Sequence, residues 1–307
     1  MSFAGRDILS TADLSKEDLL EIMKVTGRME QLVAGEHVSD LLADKLVAVL
    51  FLEPSTRTRL SFETAVRRLG ARGITVADAK ASSAAKGESL ADMARTVEGY
   101  VDCIVVRQPQ TGGAQIIADA VQIPVINGGD GSGQHPTQAL LDLYTIQKEK
   151  GTLENLTVGM VGDLKYGRTV HSLSYALAPF NPSYIYCSPK ELVMPDHVTS
   201  DMKKKGIPVK ETGDIKEALQ ADIVYMTRIQ RERFEDPKEY DRLKGSYVLT
   251  RDLVGHGKKG LTIMHPLPRV DEIAADVDRL PNAAYFRQAH NGVFLRMALL
   301  AMVLGRA

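Results

Sequence analysis

The 307 residues, at roughly 150 residues per domain, predict about two domains. A composition of 44% apolar and 25% charged residues is that of a globular chain and excludes a disordered tail, a repeat array and a fibre. Lysine plus arginine (38) nearly balances aspartate plus glutamate (39), leaving a formal charge of −1, so no global field draws the chain to nucleic acid or to an anionic membrane. Any anion must be held by local groups.

Cys103 and Cys187 both lie in apolar runs, with no Cys-x-x-Cys pairing and no disulfide framework. A cytoplasmic location is expected from this usage. The opening residues lack a charged-then-apolar signal pattern, and the longest apolar run, near Met297 to Leu304, is well short of the ~18 residues that span a bilayer.

In chain order, a capped amphipathic helix comes first, with Ser15 and Asp18 three residues apart ahead of Leu19, Leu20, Ile22 and Met23. Leu46 to Leu52 then reads as a buried parallel strand. Similar runs recur at Ile74 to Ala77, Cys103 to Val106, Val125-Ile126, Leu156 to Val161, Tyr184 to Cys187, Ile223 to Met226 and Leu261 to Met264, mostly with helical patterns between them. That alternation predicts an α/β fold of two doubly wound parallel-sheet domains joined by inter-domain helices. The expected seam is the glycine-rich turn Asn127 to Pro136, which empties into an apolar helix from Thr137. A second apolar helix, Asn291 to Leu304, has Arg296 as its one internal charge. The expected domains are residues 1–134 with 289–307, and residues 135–288.

The strongest local signal is Phe51 to Glu63, where a strand ends, Pro54 breaks it and a helix opens on Ser55, Thr56, Arg57, Thr58 and Arg59. Phe62, Ala65, Val66 and Leu69 give that helix its core face, so the polar cluster occupies the first turn at the carboxyl edge of a parallel sheet. Open backbone N–H groups, hydroxyls and a planar guanidinium are phosphate-binding chemistry. The bland alternative is a helix cap with solvated arginines. Arg107 after its strand, His135 and Gln138 one helical turn apart, and Arg168 opening a helix after Gly162-Asp163 are further donors at strand ends. Each alone reads as a surface charge, a cap or a packing residue.

Familiar cofactor signatures are missing. No Gly-x-x-x-x-Gly-Lys-Ser/Thr occurs, Gly129-Asp-Gly-Ser-Gly133 does not fit the dinucleotide fingerprint, and the seven histidines show no zinc-type spacing. No cofactor and no metal are expected.

Taken together, Ser55-Thr-Arg-Thr-Arg59, Arg107-Gln-Pro, His135-Pro-Thr-Gln-Ala-Leu-Leu-Asp142 and His265-Pro-Leu-Pro-Arg269 resemble the aspartate and ornithine carbamoyltransferases, over about Leu46 to Leu300. Gly162 to Ser172, Thr227 to Arg233 and His265 to Glu272 resemble the aspartate branch of that family. The Asn-rich turn and the His-Cys-Leu-Pro segment of the ornithine branch are not present.

The resemblance implies transfer of the carbamoyl group of carbamoyl phosphate to the amino group of L-aspartate, an early step of pyrimidine synthesis, with the site in the cleft between the domains. Carried over by position, Ser55, Thr56, Arg57, Thr58 and Arg107 hold the phosphate, and Thr58, Arg107 and His135 reach the carbonyl oxygen. Gln138 and the carbonyls of Leu267 and Pro268 hold the carbamoyl NH2, while Arg168, Arg228 and Gln230 grip the two carboxylates of aspartate. Ser82 and Lys86 match a loop supplied by the neighbouring subunit of a homotrimer; Ala85 stands where many relatives carry a second lysine. Whether the trimer joins regulatory chains or dihydroorotase stays open. A catalytically silent scaffolding paralogue and a carbamoyltransferase for another amine, such as ornithine, are the competing readings. Retention of Arg57, Lys86, Arg107, His135, Arg168 and Arg228 speaks against the first, and the Arg168, Arg228 and Gln230 set against the second.

Overall fold

The computed structural model describes residues 2–35, 39–77, 87–131, 133–230, 234 and 236–307. Contacts divide the chain into two compact units: Met1–Tyr144 with His290–Ala307, and Thr145–Ala289. The division falls within a helix, α5, named below, rather than in the glycine-rich turn ahead of it.

Unit 1 opens with α1 (Lys16–Ala34), whose Ser15 and Asp18 form the reciprocal capping box. Then follow β1 (Leu46–Phe51), α2 (Thr56–Arg68), β2 (Arg72–Val76), α3 (Leu90–Glu98), β3 (Cys103–Gln108), α4 (Gly113–Ala120) and β4 (Val125–Asp130). The four strands form one parallel sheet in the order β2-β1-β3-β4. Its central strands are buried on both faces, which is why Val47 to Phe51 and Cys103 to Val106 read as unbroken apolar runs. Ala48, Leu50, Ile104, Val106, Ile117 and Val125 make one core beneath α3 and α4. β4 is longer than the apolar dipeptide Val125-Ile126 announces, running through Asn127-Gly-Gly-Asp130. Asn127 explains this: its N–H pairs with Ile8 and its side chain accepts from Gly129 N, so extended backbone continues where glycines read as a turn.

The chain leaves unit 1 through α5 (Pro136–Lys150). Unit 2 contains β5 (Thr157–Val161), α6 (Arg168–Leu177), β6 (Ser183–Cys187), α7 (Asp196–Lys204), β7 (Val209–Thr212), α8 (Ile215–Ala218), β8 (Ile223–Met226), α9 (Pro237–Leu243), α10 (Arg251–Gly255) and β9 (Thr262–Met264). Its parallel sheet has the order β7-β6-β5-β8-β9. β7 has no counterpart among the apolar runs, because Val-Lys-Glu-Thr is an edge strand with its two middle residues exposed and carries no burial signal. The last helix, α11 (Tyr285–Val303), returns the chain to unit 1 and begins six residues before Asn291. Its first turn conceals a second internal charge, Arg287, whose guanidinium bonds both oxygens of Glu149 at 2.8 and 2.9 Å. Both cysteines are free and buried, and no described helix is long and apolar enough to cross a membrane.

Candidate active-site groups

In an open parallel sheet, ligands bind outside the carboxyl ends of the strands at the point where strand order reverses. Unit 1 reverses between β1 and β3, where Phe51 pairs with Arg107. The chain leaving β1 reaches α2 through Leu52-Glu-Pro-Ser55. Ser55 occupies the N-cap with extended backbone, yet its side chain makes no cap hydrogen bond, and the first turn holds no acidic residue. The helices α1 and α3 differ, since Ser15 and Ser89 accept from Asp18 N and Asp92 N. The cap reading of the Ser-Thr-Arg cluster therefore fails, and the turn keeps open N–H groups and a positive dipole end. Thr56 and Arg57 are exposed and Thr58 is buried.

Arg107, 8% exposed, donates to Glu53 Oε1 at 3.2 Å and to the Gly128 carbonyl at 3.3 Å. Its Nε is buried without a hydrogen-bond partner among the described residues. Burial lowers the Arg107 guanidinium, with Glu53 opposing, and Arg57 is lowered by burial and by the like charge of Arg107. Among the described residues Glu53 is the one carboxylate bonded to this pair of cations, so the balance favours an added anion. Glu53 is a bonded neighbour of Arg107 that the sequence did not flag; an acid directly ahead of Pro54 was the available signal.

The segment after β4, the neighbour of β3, leads to His135 and α5. His135 and Gln138 are both buried, with Gln138 N donating to the His135 carbonyl at 3.0 Å. Gln138 Nε2 donates to Asp142 Oδ1 at 2.9 Å, which fixes the amide orientation. Fully buried Arg296 lies over the Phe62 ring at 5.0 Å and donates to Thr137 Oγ1 and the Gly292 carbonyl. Burial pushes its guanidinium down to about 9, with Asp142 opposing, so it stays charged at neutral pH and balances that carboxylate. Arg296 is thus an internal counter-charge of unit 1.

Unit 2 reverses between β5 and β8, where Val161 pairs with Met226. Gly162 follows β5 at φ +114°, and a Cβ there would lie 2.4 Å from the Thr227 carbonyl oxygen. Only glycine lets the two strand ends approach so closely. Thr227 closes the contact by donating to the Val161 carbonyl at 3.0 Å. Arg168, half-buried, opens α6; Arg228 and Gln230, also half-buried, follow β8. Gln230 Nε2 reaches the Tyr166 carbonyl at 3.5 Å. Arg228 lines a pocket with Gly162, Lys244, Asp271 and Glu272. Leu267 and Pro268 follow β9, with Leu267 at φ +54° and a cis peptide between them. Ser82 and Lys86 lie outside the described residues. No cluster of three metal-ligating side chains occurs among the described residues.

Each switch point thus carries its own cationic set. The sequence profile of the aspartate/ornithine carbamoyltransferase carbamoyl-phosphate binding domain matches residues 6–148, and that of the aspartate/ornithine binding domain matches residues 154–303. The aspartate carbamoyltransferase catalytic subunit of Methanopyrus kandleri is 52% identical over 99% of both chains, and that of Thermococcus kodakarensis 50% identical over 99% of both. The chain belongs to the aspartate/ornithine carbamoyltransferase family. Among solved carbamoyltransferases, the catalytic subunit of the M. jannaschii aspartate enzyme superposes with a TM-score of 0.92 at 50% identity, covering 98% of each chain. The Trypanosoma cruzi aspartate transcarbamoylase, in complex with carbamoyl phosphate and aspartate, superposes with a TM-score of 0.93 at 36% identity, covering 98% of each chain. The carbamoyltransferase architecture of two parallel α/β sheets accounts for both switch points.

Proposed function

We propose that the protein transfers the carbamoyl group of carbamoyl phosphate to the amino group of L-aspartate, giving N-carbamoyl-L-aspartate and phosphate. The observation that carries this reading is the chemical division of the two switch points. Unit 1 offers an uncapped helix start, three hydroxyls, Arg57 and the unpartnered Nε of Arg107, a set suited to a phosphate. Unit 2 offers Arg168, Arg228 and Gln230, a set suited to two carboxylates. A solved relative that binds carbamoyl phosphate and aspartate together supports the pairing.

The chemistry asks little of the protein beyond positioning and charge stabilisation. The aspartate nitrogen attacks the carbamoyl carbon, the C–O bond to phosphate breaks, and the proton lost by nitrogen leaves with the released phosphate. Negative charge grows on the carbonyl oxygen during attack. Thr58, Arg107 and His135 stabilise that oxygen, and Gln138 with the Leu267 and Pro268 carbonyls orients the NH2 group. Ser55, Thr56 and Arg57 hold the leaving phosphate. The working form is a cytoplasmic homotrimer in which Ser82 and Lys86 serve the neighbouring subunit.

A steady-state assay with carbamoyl phosphate and either aspartate or ornithine tests the reading. Carbamoylation of aspartate at least about a hundredfold faster than of ornithine is expected, because a cationic acceptor side chain would face Arg168 and Arg228 instead of a pair of opposite charges. Faster carbamoylation of ornithine would overturn it, and no turnover of either would favour the silent paralogue.

A further inference from the structure

The segment His265 to Glu272 is closed on itself by the side chains at its two ends, and both ends are buried, His265 to 1% and Glu272 to 5% exposure. His265 Nδ1 lies 2.8 Å from Leu267 N. A backbone N–H can only donate, so Nδ1 is the unprotonated acceptor and the ring proton sits on Nε2. Nε2 donates to Glu272 Oε1 at 2.7 Å, and Glu272 Oε2 accepts from Val270 N at 3.0 Å and Asp271 N at 3.2 Å. His265 is itself held from behind, its N–H donating to Gln288 Oε1 at 2.9 Å. Burial lowers the imidazole against the opposing pull of Glu272, which keeps Nδ1 an acceptor at neutral pH.

Pro266 and Pro268 have no N–H, so Leu267 holds the single backbone donor of the Pro-Leu-Pro turn, and His265 takes it. That bond fixes the peptide plane entering Leu267. Leu267 then stands at φ +54°, a region a branched L-residue avoids unless its surroundings hold it there. The His265 bond holds the backbone entering Leu267 and the Glu272 bonds to Val270 N and Asp271 N hold the backbone leaving Pro268, so the Leu267 and Pro268 carbonyls are fixed from both ends. We propose that His265 and Glu272 are positioning residues: they aim the Leu267 and Pro268 carbonyls, and so set the preference for a phosphate donor bearing an NH2 group over one bearing a methyl group. The inference rests on the reading above that those carbonyls accept from the carbamoyl NH2.

Side-chain amides separate the two ends of the imidazole. In His265→Asn an amide oxygen stands near the Nδ1 position and the bond to Glu272 is lost; in His265→Gln a donor stands near Nε2 and the acceptor for Leu267 N is lost. The readout is the ratio of dissociation constants for carbamoyl phosphate and acetyl phosphate, measured by calorimetry on the intact protein. Acetyl phosphate keeps the phosphate and the carbonyl but has nothing to donate to the two carbonyls, so a merely structural role would weaken both ligands alike and leave the ratio unmoved. Wild type is expected to prefer carbamoyl phosphate. His265→Gln should lose about tenfold in affinity for carbamoyl phosphate, the equivalent of one or two neutral hydrogen bonds, with acetyl phosphate changed less than about twofold. His265→Asn, which loses only the bond to Glu272, should narrow the preference partway, between wild type and His265→Gln. Should His265→Gln fail to fold, Glu272→Gln is read in the same way and should narrow the ratio. A preference left intact in His265→Gln, or in Glu272→Gln where that replaces it, overturns this inference alone. A wild-type protein without any preference overturns it together with the carbonyl assignment.

Discussion

Arg57 and Arg228 stand at different switch points, in different units and beside different neighbours. Under the proposed function each becomes half of a buried charge pair once covered by substrate, and truncating one half costs about 2 to 5 kcal/mol, roughly 30- to 5,000-fold in rate. The two losses should differ in kind. Arg57→Ala is expected to abolish carbamoyl phosphate binding and turnover together. Arg228→Ala is expected to raise the aspartate KM and lower kcat while calorimetric binding of carbamoyl phosphate stays within about threefold of wild type, since no contact to that ligand is removed. Equal loss of carbamoyl phosphate affinity in both variants would contradict the separate assignments. The His265–Glu272 pair makes a residue-scale prediction about acid. Burial, with Arg269 and Arg228 adding to it and Glu272 opposing, keeps the folded imidazole below its ordinary 6.5, so on acidification the unfolded chain takes up this proton first and stability falls. Burial would raise Glu272, but His265 and the loop N–H groups hold it below 4.5, so its contribution is present above that pH and is lost as pH falls through the folded value. Both act in one direction. Denaturant midpoints measured from pH 7 to pH 4.5 should therefore decline, and His265→Asn should decline less steeply between 6.5 and 4.5; equal slopes would remove His265 as a source.

At the scale of elements, α2 separates a capping role from a binding role. Ser15 caps α1 and Ser55 caps nothing. Ser15→Ala should cost about 0.5 to 2 kcal/mol of stability, whereas Ser55→Ala should leave the thermal midpoint within about 1 °C, well under the shift that 1 kcal/mol gives in a protein this large, while weakening carbamoyl phosphate. A midpoint drop in Ser55→Ala comparable to that of Ser15→Ala would restore the capping interpretation. The same helix shows what the sequence could deliver. Its apolar face at Phe62, Ala65 and Val66 is buried as the periodicity demands, and that face fixes the first turn at the sheet edge. Signals of this type track burial only in part: β2 is legible from its apolar run although its residues are mostly exposed and not buried as that run suggests, and elsewhere the signal fails where side chains turn polar. β7 is exposed on one edge and has no apolar run, the continuation of β4 depends on side-chain bonds from Asn127, and the start of α11 hides behind Arg287 and Gln288, which are polar for reasons of their own pairing. The functional groups divide likewise. Strand-end arginines were visible as residue types, but Glu53 beside Arg107, Asp142 beside Gln138 and the closure of the His265 loop are contacts that exist only once the backbone has turned.

For the whole molecule, the proposed division of labour would extend to the assembly. The Ala81-Ser-Ser-Ala-Ala-Lys86 segment is outside the described residues, and the reading proposed above has Lys86 serving a neighbour while Arg228 serves its own chain. Neither Lys86→Ala nor Arg228→Ala homotrimers should then turn over well. Unfolding and refolding the two together should restore activity, because a Lys86→Ala chain keeps its Arg228 and borrows Lys86 from an Arg228→Ala neighbour. Random equal mixing makes roughly three quarters of closed trimers mixed, each with one complete site in three, so roughly a quarter of wild-type activity should return. The fraction does not depend on ring size: with an isologous dimer and shared sites roughly half of the dimers would be mixed, each with one good site in two, again roughly a quarter overall. Activity alone therefore does not identify the ring, and the mixed species must be separated by a charge tag and counted. A trimer gives two mixed species of equal specific activity, a dimer only one. If Lys86→Ala is already active, the lysine is an ordinary solvated side chain. Two dead variants whose verified mixed species stay dead would instead put Lys86 in its own chain's site and end the shared-site assignment.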